Sequence, residues 1–283
     1  MNIKDSFGIM QGRLSPMVDG KIQAFPWNNW KNEFVDIGKL GLNLIEWTID
    51  FDENYYNNPI MSSDGRKIIS ELCEISNCRI NSVTADSLMH APFWKQPANR
   101  KLYKIADDLI DSCIALDINI LVVPLVDNGS ISSLEEEQLF TKYFLNKEEL
   151  LRKNNLEIAI ESDLIPSQLN SFVRHFPDDI LGINYDIGNS ASLGYSPSEE
   201  LELYGDRVIN VHIKDRKFNG ATVPLGMGDA DFNKVFEILL QRQNYRRNFI
   251  YQTARNPDNL GIMKSYLSFI NSIPSVREFF TMQ

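Results

Sequence analysis

The chain has 283 residues, with 38 acidic against 28 basic side chains and a formal net charge of −10. That balance argues against a nucleic-acid interface, which needs a basic face, while local basic clusters can still hold one or two phosphates. The three cysteines, Cys73, Cys78 and Cys113, match no zinc spacing and sit in apolar patterns, as buried free thiols of a reducing compartment do.

The N-terminus, Met-Asn-Ile-Lys-Asp, is charged at once, and Phe7 to Met10 is too short for a signal segment. The longest apolar stretch, Ile118 to Val126, falls far short of a membrane span. A soluble cytoplasmic protein without nucleic-acid or membrane partners is expected.

In chain order, β-rich runs are read at 7–11, 42–48, 79–84, 118–124, 156–161, 180–186, 208–214 and 248–253. Helical stripes stand between them. The first is Trp30, Phe34, Ile37 and Leu40, closed by Gly41. Next come Ile68, Leu72 and Ile75, then Leu102, Ile105, Leu109 and Leu116. Leu139, Tyr143, Leu150 and Leu151 follow, and Phe232, Val235, Phe236 and Leu239 mark a later helix. Repeated strand–helix alternation implies parallel pairing through right-handed crossovers, and eight such units close a (β/α)8 TIM barrel. An open doubly wound sheet would carry a glycine-rich phosphate turn after its first strand. Gly8 and Gly12 do not form one. A single α/β domain over residues 1–283 is expected.

A period of two along the strands turns Ala159 and Glu161 inward, then Asn184 and Asp186, then Asn210, His212 and Lys214, then Asn248, Ile250 and Gln252. Branched apolar side chains fill an ordinary barrel core. Here the polar residues Glu161, Asp186, His212 and Gln252 occupy the carboxyl ends of four successive strands, where barrel enzymes place their chemistry. A lone inward histidine is more often a satisfied core residue than a ligand. Two neighbouring carboxylates repel, and a cation between them resolves the conflict. A buried ion-pair network through Lys214 is the bland alternative.

The motifs Gly8-Ile-Met-Gln-Gly-Arg-Leu-Ser-Pro16, Leu44-Ile-Glu-Trp47, Ser82-Val-Thr-Ala-Asp86 and Met89-His-Ala-Pro92 occur in the first half. Ile160-Glu-Ser162, Tyr185-Asp-Ile-Gly-Asn189, Val211-His-Ile-Lys-Asp215 and Pro224-Leu-Gly-Met-Gly228 follow. In this order the sequence resembles the sugar-phosphate isomerase/epimerase family of xylose-isomerase-like TIM barrels, in its pentulose- and hexulose-phosphate branch. The resemblance implies that Glu161, Asp186 and His212 are metal ligands, with Glu161 doubling as acid/base. It also implies that Asn189 reaches a substrate hydroxyl and that Lys214-Asp215-Arg216 helps hold the substrate. The family's fourth ligand is a glutamate after the last strand, and this chain has Gln252 there.

The expected function is a metal-dependent isomerase or epimerase of a small sugar or sugar phosphate, acting in carbohydrate metabolism through an enediolate. Oxygen and nitrogen ligands without thiolate favour one Mn²⁺, Mg²⁺ or Co²⁺ ion, with Zn²⁺ admissible. Trp47 and Asp86 join Asn189, Lys214, Arg216 and Arg255 as candidate substrate contacts. Phe51, Tyr55, Tyr56, Phe93 and Trp94 supply aromatic loops that either cover a sugar or pack the barrel rim. Arg13, Arg216 and Arg255 follow strands one, seven and eight, where an anion could be gripped. A homo-oligomer is compatible with this sequence. Two rival classes stay open. One is a sugar-binding barrel that has lost catalysis with its fourth acidic ligand. The other is a metal-cluster endonuclease, disfavoured by an inventory of only His90, His175 and His212.

Overall fold

Every run read as a strand is one: β1 (Phe7–Met10), β2 (Leu44–Thr48), β3 (Arg79–Thr84), β4 (Ile120–Leu125), β5 (Glu157–Ser162), β6 (Leu181–Asp186), β7 (Val208–Ile213) and β8 (Asn248–Tyr251). They form a closed barrel in the order β1-β8-β7-β6-β5-β4-β3-β2. The computed structural model describes residues 3–97 and 99–281. Its internal contacts fall into two compact units, taken in turn.

One unit holds residues up to Ile45 and from Asn184 onward. In it β1, β8 and β7 run parallel, with Gly8 opposite Ile250 and Ile250 opposite His212. Odd-numbered residues turn toward the helices. The Phe7 ring lies 5.0 Å from Phe249, which lies 5.2 Å from Phe236. Even-numbered residues turn inward, where Met10, Leu44 and Ile250 form a buried cluster. Gly8 permits this: a Cβ there would stand 2.6 Å from the Leu44 carbonyl oxygen. The helix Phe232–Phe236 continues as a π-helix over Glu237–Arg242, with Ile238, Leu239 and Leu240 all buried. A π turn rotates less per residue than an α turn, which keeps three consecutive side chains on one face.

The other unit runs from Glu46 to Ile183. β4 and β5 pair in parallel throughout, with Pro124 opposite Glu161. Phe93 is the hub of an aromatic cluster, its ring 4.3 Å from Tyr143 and 5.0 Å from both Tyr103 and Trp94. Ser62 and Ser133 cap their helices by accepting the N–H groups of Gly65 and Glu136.

One expected stripe is out of phase, and another holds in part. In the helix Ser63–Ser76, Ile69 is buried and Ile75 is 84% exposed. Gly65 sets the rotation: a Cβ there would stand 2.1 Å from the Pro59 carbonyl oxygen. The close approach directs Gly65 and Ile69, four residues on, toward the interior. Of the stripe Leu139, Tyr143, Leu150 and Leu151, Tyr143 and Leu151 are buried and Leu150 is exposed, and the helix Leu134–Leu145 also buries Phe140 and Phe144. The cysteines are free, with Cys78 and Cys113 buried and Cys73 partly so. Among the described residues no helix is long and apolar enough to cross a membrane.

Candidate metal centre

The polar residues of β6 and β7 bond to one another. Asn210 Nδ2 donates to Asn184 Oδ1 at 2.8 Å, and Asn184 Nδ2 meets His212 Nδ1 at 3.0 Å. All three residues are buried. In this arrangement Nδ1 accepts and the imidazole proton sits on Nε2. A concerted flip of the two amides reverses the tautomer without breaking the relay.

Asp186 ends β6 and starts the helix Ile187–Leu193, its Oδ1 accepting the Asn189 N–H at 2.8 Å. Its Oδ2 accepts from Lys214 Nζ at 2.9 Å and lies 4.0 Å from His212 Nδ1. Asn189 Oδ1 accepts from Lys214 Nζ at 3.4 Å and from Arg216 Nη1 at 2.9 Å. Gly188 leaves room for the lysine stem, since a Cβ there would stand 2.8 Å from Lys214 Cγ.

Glu161, near the end of β5, completes a convergent set. One ligand atom from each of Glu161, Asp186 and His212 lies within 4.8 Å of the others, and all three residues are buried. Donors bonded to one ion at about 2.0–2.6 Å can stand roughly 5 Å apart, so the set fits a divalent cation. Gln252 follows β8, and its N–H donates to the Ile213 carbonyl at 3.1 Å, extending the ladder by one residue. That keeps its side chain on the inward face shared with Ile250. Gln252 is 8% exposed, and its Oε1 has no hydrogen-bond partner among the described residues. A buried carbonyl oxygen without a donor is costly, and a hard cation would satisfy it.

The other expected contacts have partners within the chain. Trp47 is fully buried, its indole N–H donating to Asn58 Oδ1 at 3.0 Å. Phe93 and Trp94 are fully buried too, and Trp94 donates to the Gly129 carbonyl at 3.0 Å. Tyr55 donates to the Ile105 carbonyl at 3.1 Å, while Tyr56 is 53% exposed. Most of these rings brace loops. Asp86 is buried at the start of the helix Asp86–His90. Arg255 Nη2 donates to the Ser15 carbonyl at 2.6 Å. Arg216 directs Nε and Nη2 to the Gly220 carbonyl at 3.1 and 2.8 Å.

Asp215 accepts the N–H groups of Gly226 and Gly228 at 2.8 Å each and of Ala230 at 3.3 Å. It pins the loop after β7.

Three buried carboxylates were not singled out in the sequence. Glu33 accepts from Gly12 N–H at 3.0 Å, Leu14 N–H at 3.2 Å and Ser15 Oγ at 2.8 Å. Burial pushes its carboxyl up to about 7, against the pull of those donors and of Arg255. Its signal was a charge three residues after Trp30, on the apolar face of the first helix. Glu46 accepts from Ser82 and Thr84 at 2.7 Å each, signalled by polar residues inside apolar runs. Glu200 accepts from Tyr185 at 2.9 Å, from Tyr204 at 2.6 Å and from Ser190. Burial raises its carboxyl as well.

Residues 34–272 match the family described as xylose isomerase-like TIM barrel, and the chain belongs to that family. A Haemophilus influenzae protein carrying the provisional name L-ribulose-5-phosphate 3-epimerase is 23% identical over 259 residues, covering 84% of this chain and 89% of the relative. A xylose isomerase-like TIM barrel protein from Mycobacterium smegmatis, solved in complex with magnesium, is similar over 99% of both chains. It shows 15% identity and a TM-score of 0.69. The 3-keto-D-glucoside 4-epimerase YcjR from E. coli, also 15% identical, matches 94% of this chain and 99% of its own, with a TM-score of 0.68. At such identities the solved structures establish the shared fold.

Proposed function

We propose that the chain is a metal-dependent isomerase or epimerase of a small sugar or sugar phosphate. The convergence of Glu161, Asp186 and His212 within 4.8 Å carries this reading. Those residues, with Gln252 Oε1, would hold one Mn²⁺, Mg²⁺ or Co²⁺ ion. When bound, the ion polarises a carbonyl and its neighbouring hydroxyl, acidifying the adjacent C–H. Glu161 removes that proton and returns it. Asn189, Lys214 and Arg216 orient the sugar hydroxyls beside it. The epimerase name of the Haemophilus relative supports the same class.

Gln252 divides the two reactions. An amide has no useful pKa, so it cannot serve as a second base. Glu161 alone can move a proton between adjacent carbons on one face, which is aldose–ketose isomerisation. Epimerisation requires another group, Lys214 or Asp86, on the opposite face. Turnover in D₂O tests this. A one-base isomerase labels one carbon with one stereochemistry and retains part of the substrate proton. Inversion with full solvent label, unchanged by Lys214→Met and Asp86→Asn, overturns the one-base mechanism.

One observation favours a barrel without a metal: Lys214 already neutralises Asp186 at 2.9 Å. Metal analysis of the purified protein decides between the readings. One ion per chain, lost in Asp186→Asn, supports the isomerase. None after dialysis against Mn²⁺ supports the metal-free barrel.

A further inference from the structure

In (β/α)8 enzymes a substrate phosphate is commonly gripped by backbone N–H groups of the loops after the seventh and eighth strands. Here the N–H groups of the loop after β7 already serve a carboxylate. Gly226 and Gly228 donate to Asp215 Oδ2 at 2.8 Å each, and Ala230 donates to Oδ1 at 3.3 Å. Asp215 is 1% exposed. A Cβ on Gly228 would stand 1.8 Å from Asp215 Oδ1, so the cradle is shaped around this side chain. A phosphate brought to it meets a buried negative charge rather than open amides.

The neighbouring cations already have acceptors within the chain. Lys214 lies against Asp186 and Asn189, Arg216 against the Gly220 carbonyl and Asn189, and Arg255 against the Ser15 carbonyl. The paired Lys214 and Asp186 offer a dianion no uncompensated charge, while sugar hydroxyls can donate to the aspartate and accept from the lysine.

We infer that the substrate is an uncharged keto sugar and not a sugar phosphate. This rests on the isomerase/epimerase reading and narrows it. The test compares the metal-loaded protein on a ketopentose and on its 5-phosphate, alongside calorimetric titration with inorganic phosphate. The free sugar should show a kcat/KM at least about tenfold higher, with no saturable phosphate binding at millimolar concentration. Asp215→Asn keeps an acceptor for the loop and removes the charge, so it should narrow the preference by about tenfold. Faster turnover of the phosphorylated sugar overturns the inference. So does saturable phosphate binding that Arg216→Ala weakens. If neither sugar is turned over, the isomerase reading fails, and the phosphate titration still decides whether the site accepts an anion.

Discussion

Asp186 and Glu46 are both carboxylates buried within barrel strands, and they are satisfied in opposite ways. Glu46 on β2 accepts from two hydroxyls of β3, Ser82 and Thr84, at 2.7 Å each. Asp186 on β6 accepts from an ammonium and a backbone N–H, with an imidazole 4.0 Å away. Neutral donors satisfy a carboxylate in place and tie neighbouring strands together. A flexible ammonium can yield its place to a stronger cation. Donor chemistry, more than burial, separates a carboxylate that holds the barrel from one that can serve a reaction.

The largest effect expected from this contrast is on the metal. Asp186→Asn should abolish stoichiometric Mn²⁺ binding and lower turnover by at least about a hundredfold. Glu161→Gln should cost about 10²–10⁴ in kcat as the general base is lost. Metal analysis and steady-state kinetics check both. Full occupancy in Asp186→Asn would erase the distinction from Glu46.

Glu33 extends the contrast to a third buried carboxylate. Its folded carboxyl titrates at about 7 against an ordinary 4.5. The proton therefore favours the folded state, fully below the unfolded value and less as pH rises through 7. Stability should fall by about 2–3 kcal/mol between pH 4.5 and 7.5 from this group. Urea midpoints across that range measure it, and Glu33→Gln should flatten the slope. An unchanged slope assigns the effect elsewhere.

Removing the donors of Glu46 should cost stability and leave the metal alone. Ser82→Ala and Thr84→Val should each cost about 1–3 kcal/mol by chemical denaturation. Loss of metal in either would show that the β2–β3 network also shapes the ligand set. The smallest effect is that of Trp47→Phe, about 1 kcal/mol for its hydrogen bond to Asn58. A comparable stability loss with unchanged KM supports a bracing role, and a raised KM marks a ring that meets the sugar.

The strands and their inward polar ends were legible because alternation along a strand is local. Glu161, Asp186 and His212 could be singled out because charged or imidazole side chains interrupted β-rich runs at the same relative place. Helix phase was less legible. The rotation that buries Ile69 and exposes Ile75 depends on how closely Gly65 approaches Pro59, a contact made across a turn. The aromatic residues after β2 and β3 carry no local mark that distinguishes bracing a loop from covering a ligand. Trp94 is settled by the Gly129 carbonyl, which comes from a later loop. The role of Asp215 in holding the loop after β7 depends on the chain returning eleven residues later with Gly226, which nothing local to Asp215 marks.

The π turn over Glu237–Arg242 bears on how this chain tolerates changes of length. A wide turn holds one residue more than an α turn covering the same rise, so it can absorb an insertion without unwinding the helix. Deleting one of Ile238, Leu239 or Leu240 would let the segment relax toward α geometry while its ends keep their places. The same deletion within β8 would exchange Tyr251 and Gln252 between the two faces of the strand. Shortening of the chain is thus accommodated in the helix before β8 and forbidden in the strand that carries Gln252.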